Sequence, residues 1–239
     1  VTNSSGGYTF SELPGTYTIT VPSTCCTGNL PLLSSNKVQV TVTGGNSASV
    51  SFQYAATPPP PPPPPAAVSH GDTATIGFWH NKNGQGLINS LNGGPTATNL
   101  AMWLATNFPY LWGGTAPTGS NLTGKTNADV AALALTYFNV HGAKTNLQML
   151  GAALAVYVTN STLAGNTASG YGFNVSSNGT GMKVFNVGSN GKVIGLTNNA
   201  SYSVMQLLQQ ANTDMYNGTF NANAFNSIFD GINQTGDIS

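Results

Sequence analysis

Apolar and polar residues alternate through positions 1–56: Tyr8 and Phe10, then Tyr17, Ile19 and Val21, then Val38, Val40 and Val42, then Val50, Phe52 and Tyr54. A period of two marks strands with one covered face, so four strands are predicted. Turn signals separate them: Pro14-Gly15, the loop 22–31, and Gly44-Gly45-Asn46, which reads as the turn of a hairpin joining the last two strands. A four-stranded sheet of this size has one face to bury. It needs a second sheet, another chain or a following domain to cover that face.

Prolines fill positions 58–65 without interruption. Such a run forms a polyproline II rod of roughly 25 Å, at about 3.1 Å per residue. Its geometry is that of a spacer, and residues 57–68 are read as a linker. From Ser69 onward the apolar period lengthens to that of helices, predicted at 78–91, 96–107, 128–140, 145–161, 202–216 and 223–233. Asn127 and Asp129 supply a cap and a first-turn anion for the third of these, and Gly142 a stop beyond its end. Residues 171–175 and 182–187 flank Ser177-Asn178-Gly179, a turn signal for a β-hairpin over 171–187. The expected class is α+β. A small, incomplete β-sandwich (1–56) is followed by a polyproline rod (57–68) and a mainly helical domain with one hairpin (69–239).

Composition then narrows the setting. Six lysines, no arginine and six carboxylates make up 5% of the 239 residues, and the formal net charge is zero. An ordinary soluble domain is about a quarter charged. A cytoplasmic protein relies on a charged surface of mixed sign to stay dispersed, whereas Asn, Thr, Ser and Gly clothe this one. A neutral amide and hydroxyl surface packs subunit on subunit without desolvating charge, and an extracellular, cell-surface location is expected. Nucleic acid is not expected as a partner, since there is no basic excess, no cluster of lysines and no arginine to neutralise phosphates. The longest apolar stretches, 131–135 and 150–158, fall short of the ~20 residues of a transmembrane helix. No basic and apolar leader stands at Val1, so a secretion signal is expected to have lain upstream.

The two cysteines, Cys25 and Cys26, are adjacent, and neighbours cannot close an ordinary loop. A strained vicinal disulfide, two buried thiols and bonds to other chains all stay open. No histidine or further cysteine lies nearby at zinc-ligand spacing, so no metal is expected there.

The runs Gly7-Tyr-Thr-Phe10, Leu13-Pro-Gly-Thr-Tyr17 and Val38-Gln-Val-Thr-Val-Thr-Gly-Gly-Asn46, ending in Val50-Ser-Phe-Gln-Tyr54, resemble the second half of the B-type immunoglobulin-like repeats of bacterial surface adhesins, of the collagen-adhesin and serine-aspartate-repeat kind. The resemblance covers about 50 residues and implies an Ig-like sandwich whose opening strands precede Val1 or come from another subunit. Some members carry a Lys–Asn isopeptide bond promoted by a Glu. The matching position here is Val21, so none is assigned. Others bind calcium through an Asp-rich loop before the Tyr-x-Phe strand, where this chain has Thr2-Asn3-Ser4-Ser5-Gly6 without a carboxylate. The Gly77-Phe-Trp-His-Asn-Lys-Asn-Gly84 and Phe229-Asp-Gly-Ile-Asn-Gln-Thr-Gly-Asp-Ile238 segments resemble an uncharacterised module at the carboxyl end of large secreted bacterial proteins, which implies a context and no activity.

Candidate chemistry is sparse. His70, Asp72, His80 and His141 could in principle assemble a triad or metal site, but no nucleophile elbow, His-x-x-x-His motif or paired Glu accompanies them. Glu12 is the only glutamate, and glycoside hydrolysis needs two positioned carboxylates. Catalysis is not expected, nor a cofactor, and Trp79 and His80 are read as a satisfied helix start. Trp103 falls on a helical stripe with Leu100, Leu104 and Phe108, which predicts burial. Tyr110 and Trp112 sit among Pro and Gly, where exposure as a ligand or subunit contact is expected. Eight Asn-x-Ser/Thr sequons, at Asn3, Asn121, Asn160, Asn174, Asn178, Asn199, Asn217 and Asn233, follow from the composition and permit glycosylation without indicating it. The function expected is that of a structural subunit of an extracellular filament or adhesin. It polymerises as a neighbouring chain completes the β unit across Tyr8, Phe10, Tyr17, Val50, Phe52 and Tyr54. The alternative is a carbohydrate-binding or adhesive module with Tyr110 and Trp112 at its site.

Overall fold

A computed structural model describes residues 12–25, 30–54 and 64–239, with the side chains of Cys25 and Leu30 left aside. Tyr8, Phe10, Cys26, the Cys25 side chain and positions 58–63 of the proline run lie outside the described residues. The class is α+β, and the chain divides into two units, Val1–Pro63 and Pro64–Ser239.

In the first unit, β1 (Gly15–Thr20) pairs antiparallel with β4 (Lys37–Val42), and β2 (Thr24–Cys25) pairs with β3 (Leu30–Pro31). Tyr17 stands opposite Val40 and Ile19 opposite Val38, which places the alternating apolar residues on one half-buried face. On the other face the Thr16 and Thr41 hydroxyls meet at 3.0 Å. The expected fourth strand is a correction. Gly44-Gly45-Asn46 does turn the chain, with Gly45 at φ 79° and the Asn46 N–H donating to Thr43 O. The segment beyond does not pair back on β4. Val50, Phe52 and Tyr54 are half-buried at alternate positions, but the backbone is tied by a single bridge, Leu32 to Tyr54, and by Leu33 N–H to Gln53 O. A period of two reports which side of an extended chain is covered. It does not choose the ladder partner.

The second unit is built around one helix. Its helices are α1 (Ile76–His80), α2 (Lys82–Ser90), α3 (Asn99–Asn107), α4 (Pro109–Trp112), α5 (Asn127–Asn139), α6 (Thr145–Val158), α7 (Ser161–Ala164), α8 (Val204–Asn217) and α9 (Ala222–Thr235). Every residue of α6 except Asn146 is buried, as expected of a helix apolar all round. The amphipathic helices α1, α5, α8 and α9 pack about it. At Gly151 the fit is tight: a Cβ there would stand 3.0 Å from Trp79 Cδ1.

Local chemistry explains most helix limits. Thr126 and Asp129 form a reciprocal capping box at the start of α5, and the hydrogen bonds that the Thr126 N–H and then its hydroxyl donate to the Asp129 carboxylate hold that carboxyl below its ordinary range. The cap is thus Thr126. Asn127 is the first helical residue, buried, with its amide donating to Leu91 O and Gly94 O. The helix predicted over 78–91 is broken at Asn81, whose backbone is extended and whose side chain caps α2 through the N–H groups of Asn83 and Gly84. The predicted helix 145–161 ends at Val158, and Asn160 caps the short α7.

The hairpin expected over 171–187 does not form. Ser177-Asn178-Gly179 leads into a 3₁₀ turn, Thr180–Met182, and β5 (Val184–Asn186) pairs antiparallel with β6 (Ser201–Ser203) instead. Two contacts decide this. Ser176 bridges in parallel to Asn160, and the buried Thr180 hydroxyl donates to Asp72 O while its N–H donates to Thr159 Oγ1. The turn is thereby fixed to the end of α6. On its other side Val184 bridges in parallel to Ala67, so the residues after the proline run join the same small sheet.

Candidate functional site

Sequence attention to the 70–83 region leads to a polar junction. Asp72 is 1% exposed. One carboxylate oxygen, Oδ2, accepts from the Ser69 N–H at 2.8 Å and the Ser69 hydroxyl at 3.0 Å, and the Lys183 ammonium stands 3.5 Å from the same oxygen. Asn174 Nδ2 donates to His70 O at 2.8 Å and approaches Asp72 Oδ1 at 3.4 Å. A buried carboxylate is tolerable only when paired and hydrogen-bonded, and Asp72 is both. No histidine is among its partners. His80 stacks on Phe138 at 3.7 Å between ring centroids, and His70 and His141 are exposed. Among the described residues no group of three or more His, Cys, Asp or Glu side chains gathers at metal-binding distance.

Directly after Asp72 the chain is stitched to the end of α9. Thr73 N–H donates to Gly236 O at 2.9 Å, Thr75 N–H to Asp237 Oδ1 at 3.0 Å, and the Thr73 hydroxyl to Ile232 O at 3.0 Å. Beside this seam lies an open groove of about 800 Å³, walled by Thr75, Gly77, Phe78, Asn81 and Asn83, by Gly170 and Tyr171, and by 237–239. Phe78 and Tyr171 are half-buried along it, their rings edge to face at 6.3 Å. Asn81 and Asn83, also in its wall, are exposed. The Asn81 carbonyl oxygen caps α2, which leaves its amide Nδ2 free of any partner among the described residues. No lysine lines the groove.

The predicted ligand pair divides. Trp112 is 1% exposed, held edge-on by Phe108 at 5.4 Å, and cannot present a face to a ligand. The physical reason is that Phe108-Pro109 starts the single-turn helix α4, with Pro at its first position, where an open loop was expected. Tyr110 is half-buried and lies 4.6 Å from the exposed Tyr216 of α8, its N–H bonded to Asn212 Oδ1. Trp79 is fully buried, and its indole N–H finds no acceptor among the described residues. Of the residues predicted to contact a neighbouring subunit, Tyr17, Val50, Phe52 and Tyr54 are each half-buried in the first unit.

Sequence reasoning missed Asn174, Lys183, Tyr171 and Asp237 as members of these clusters. Each lies over 90 residues from the segment it meets, and no local pattern announces such meetings. The Asn81-Lys82-Asn83 run was a usable signal for the groove, since two exposed amides flank one charge there. Compared with protein-family models, with characterised proteins and with solved structures, the chain matches none.

Proposed function

We infer that this chain is a structural subunit of an extracellular surface filament or adhesin, in which the first unit is completed by a neighbouring copy. The observation that carries this reading is the burial of the β unit. Among its described residues not one is buried, although Tyr17, Ile19, Val38, Val40 and Val42 share a face. Apolar residues half-covered on a two-stranded sheet are unstable company for water. A second chain would cover that face or add a strand at an edge of the β1–β4 pair. The neutral surface supports the same reading, because little charge has to be desolvated as copies meet. The Ig-like topology of that unit rests on the resemblance of its residues and belongs to this proposal.

The full chain is then expected to self-associate with rising concentration in sedimentation velocity and to give regular filaments in negative stain. Val40→Lys puts an ammonium on the shared face opposite Tyr17. Desolvating it costs several kcal/mol, so association should weaken by at least about tenfold. A chain that stays monomeric throughout, or a Val40→Lys variant that associates as wild type, defeats the proposal.

A further inference from the structure

The groove beside the 73–237 seam carries a ligand chemistry of its own. It has two half-buried aromatic rings, Phe78 and Tyr171, two exposed amides, Asn81 and Asn83, and one carboxylate, Asp237. The carboxylate is preorganised. Its Oδ1 accepts the Thr75 N–H and its Oδ2 the Ser239 hydroxyl, which fixes its orientation and leaves acceptor capacity on both oxygens. Asn83 makes no side-chain hydrogen bond among the described residues, so its donor and acceptor both face solvent. The amides add donors where the carboxylate adds acceptors.

We propose that this groove binds a neutral oligosaccharide. Several ligand classes are disfavoured by what lines it. Phosphates and sulfated glycans would meet a carboxylate and no cation. A lipid or other apolar ligand would bury the free Asn81 and Asn83 amide groups without partners, at a cost of about 1–3 kcal/mol each, and would take the Asp237 carboxylate further from water at a greater cost. A sugar ring matches the inventory. Its apolar C–H face packs on an aromatic ring, and its hydroxyls both donate to a carboxylate and accept from an amide. The volume, about 800 Å³, lies within the usual range for small-ligand sites, and the groove is open to solvent. The proposal is independent of self-association, since the groove lies wholly within Pro64–Ser239.

The test is saturation-transfer NMR and calorimetry on the full chain with three probes: cellotriose, maltotriose and N-acetylchitotriose. Wild-type protein is expected to bind at least one of them. Asn83→Ala removes an exposed side chain with no internal bonds, so it should leave the melting temperature unchanged while weakening that binding by about tenfold, the worth of one good hydrogen bond pair. Tyr171→Ala should abolish it. Repeating the titration with Val40→Lys separates binding from assembly: an unchanged affinity is expected there. The proposal is overturned if none of the three sugars binds, or if binding survives Asn83→Ala and Tyr171→Ala unaltered. Preference for a sulfated trisaccharide over all three neutral ones overturns it as well.

Discussion

At the scale of single residues, Asp72 is the most exacting position in the helical unit. Its carboxylate is 1% exposed, and of its partners only Lys183 carries charge. Removing one partner of a buried pair leaves the other uncompensated, which costs about 3–5 kcal/mol when both are fully buried. The ammonium here is 30% exposed, and it can turn to water when Asp72 is neutralised. The carboxylate cannot. The two substitutions should therefore be unequal: Lys183→Ala is expected to cost about 2–3 kcal/mol and Asp72→Asn about 1 kcal/mol. The double variant should be more stable than Lys183→Ala alone, because the charge left stranded by the first change is removed by the second. Urea unfolding of the three variants measures this cycle. A double variant no better than Lys183→Ala would mean that the carboxylate is solvated and the pair ornamental.

At the scale of elements, the α1–α2 break shows what the sequence revealed and what it withheld. The apolar residues Leu87, Ile88 and Leu91 were legible as the end of a helix, and so were the limits of α5, α8 and α9 to within a residue or two. The interruption was not drawn, although positions 80–86, His-Asn-Lys-Asn-Gly-Gln-Gly, hold no apolar residue that would carry a 3.6-residue period across it. What breaks the helix is Asn81 capping a new start, and what tolerates the break is Gly84. A Cβ at Gly84 would lie 2.2 Å from Phe78 O and 2.6 Å from Trp79 Cα, both backbone atoms of α1. Gly86, one half-turn on, has room for a Cβ, which would meet only the Tyr171 hydroxyl at an ordinary contact distance of 3.6 Å. The same substitution should thus have opposite signs two residues apart. Gly84→Ala must force α1 and α2 apart and is expected to cost at least about 3 kcal/mol, whereas Gly86→Ala should stabilise by about 0.5–1 kcal/mol through helix propensity. Thermal melts separate them, at roughly 2–4 °C per kcal/mol for a protein of this size. The candidate groove was less legible than the helices for a related reason. Asn81 and Asn83 stood out as polar residues at a helix start, but Tyr171 and Asp237 reach them only through tertiary packing, and the hairpin expected near Tyr171 was captured by Asn160 and Asp72. Turn residues predicted a reversal, and long-range partners decided its form.

At the scale of the whole molecule, the residues that follow the proline run and those that follow α9 form one seam. Gly71, Thr73 and Thr75 donate their backbone N–H groups to Asp237 O, Gly236 O and Asp237 Oδ1, and the Thr73 side chain, itself 0% exposed, closes on Ile232 O. Gly236 has no room for a side chain there, since a Cβ would stand 2.9 Å from Thr73 N. The first segment is also bound to β5 through Val68 N–H to Val184 O and Val184 N–H to Ala66 O. Whatever holds Ala66 to Thr75 in place thus holds the end of α9, and an assembly contact that moved either would be felt by both. Two truncations test this coupling. A chain ending at Thr235 leaves the N–H groups of Thr73 and Thr75 without acceptors, each worth about 1–3 kcal/mol when buried. A fall in melting temperature of about 10 °C is expected, with faster amide exchange at Val68 and Val184 as well as at Thr73. A chain ending at Ile238 keeps every acceptor and the Ile238 side chain that packs against the core, and should melt as the full chain does. If the shorter chain melts unchanged, the seam is a surface contact and the two ends open independently. If it melts low while exchange at Val68 and Val184 stays slow, the seam stabilises α9 alone and the segment after the proline run is held by β5 without it.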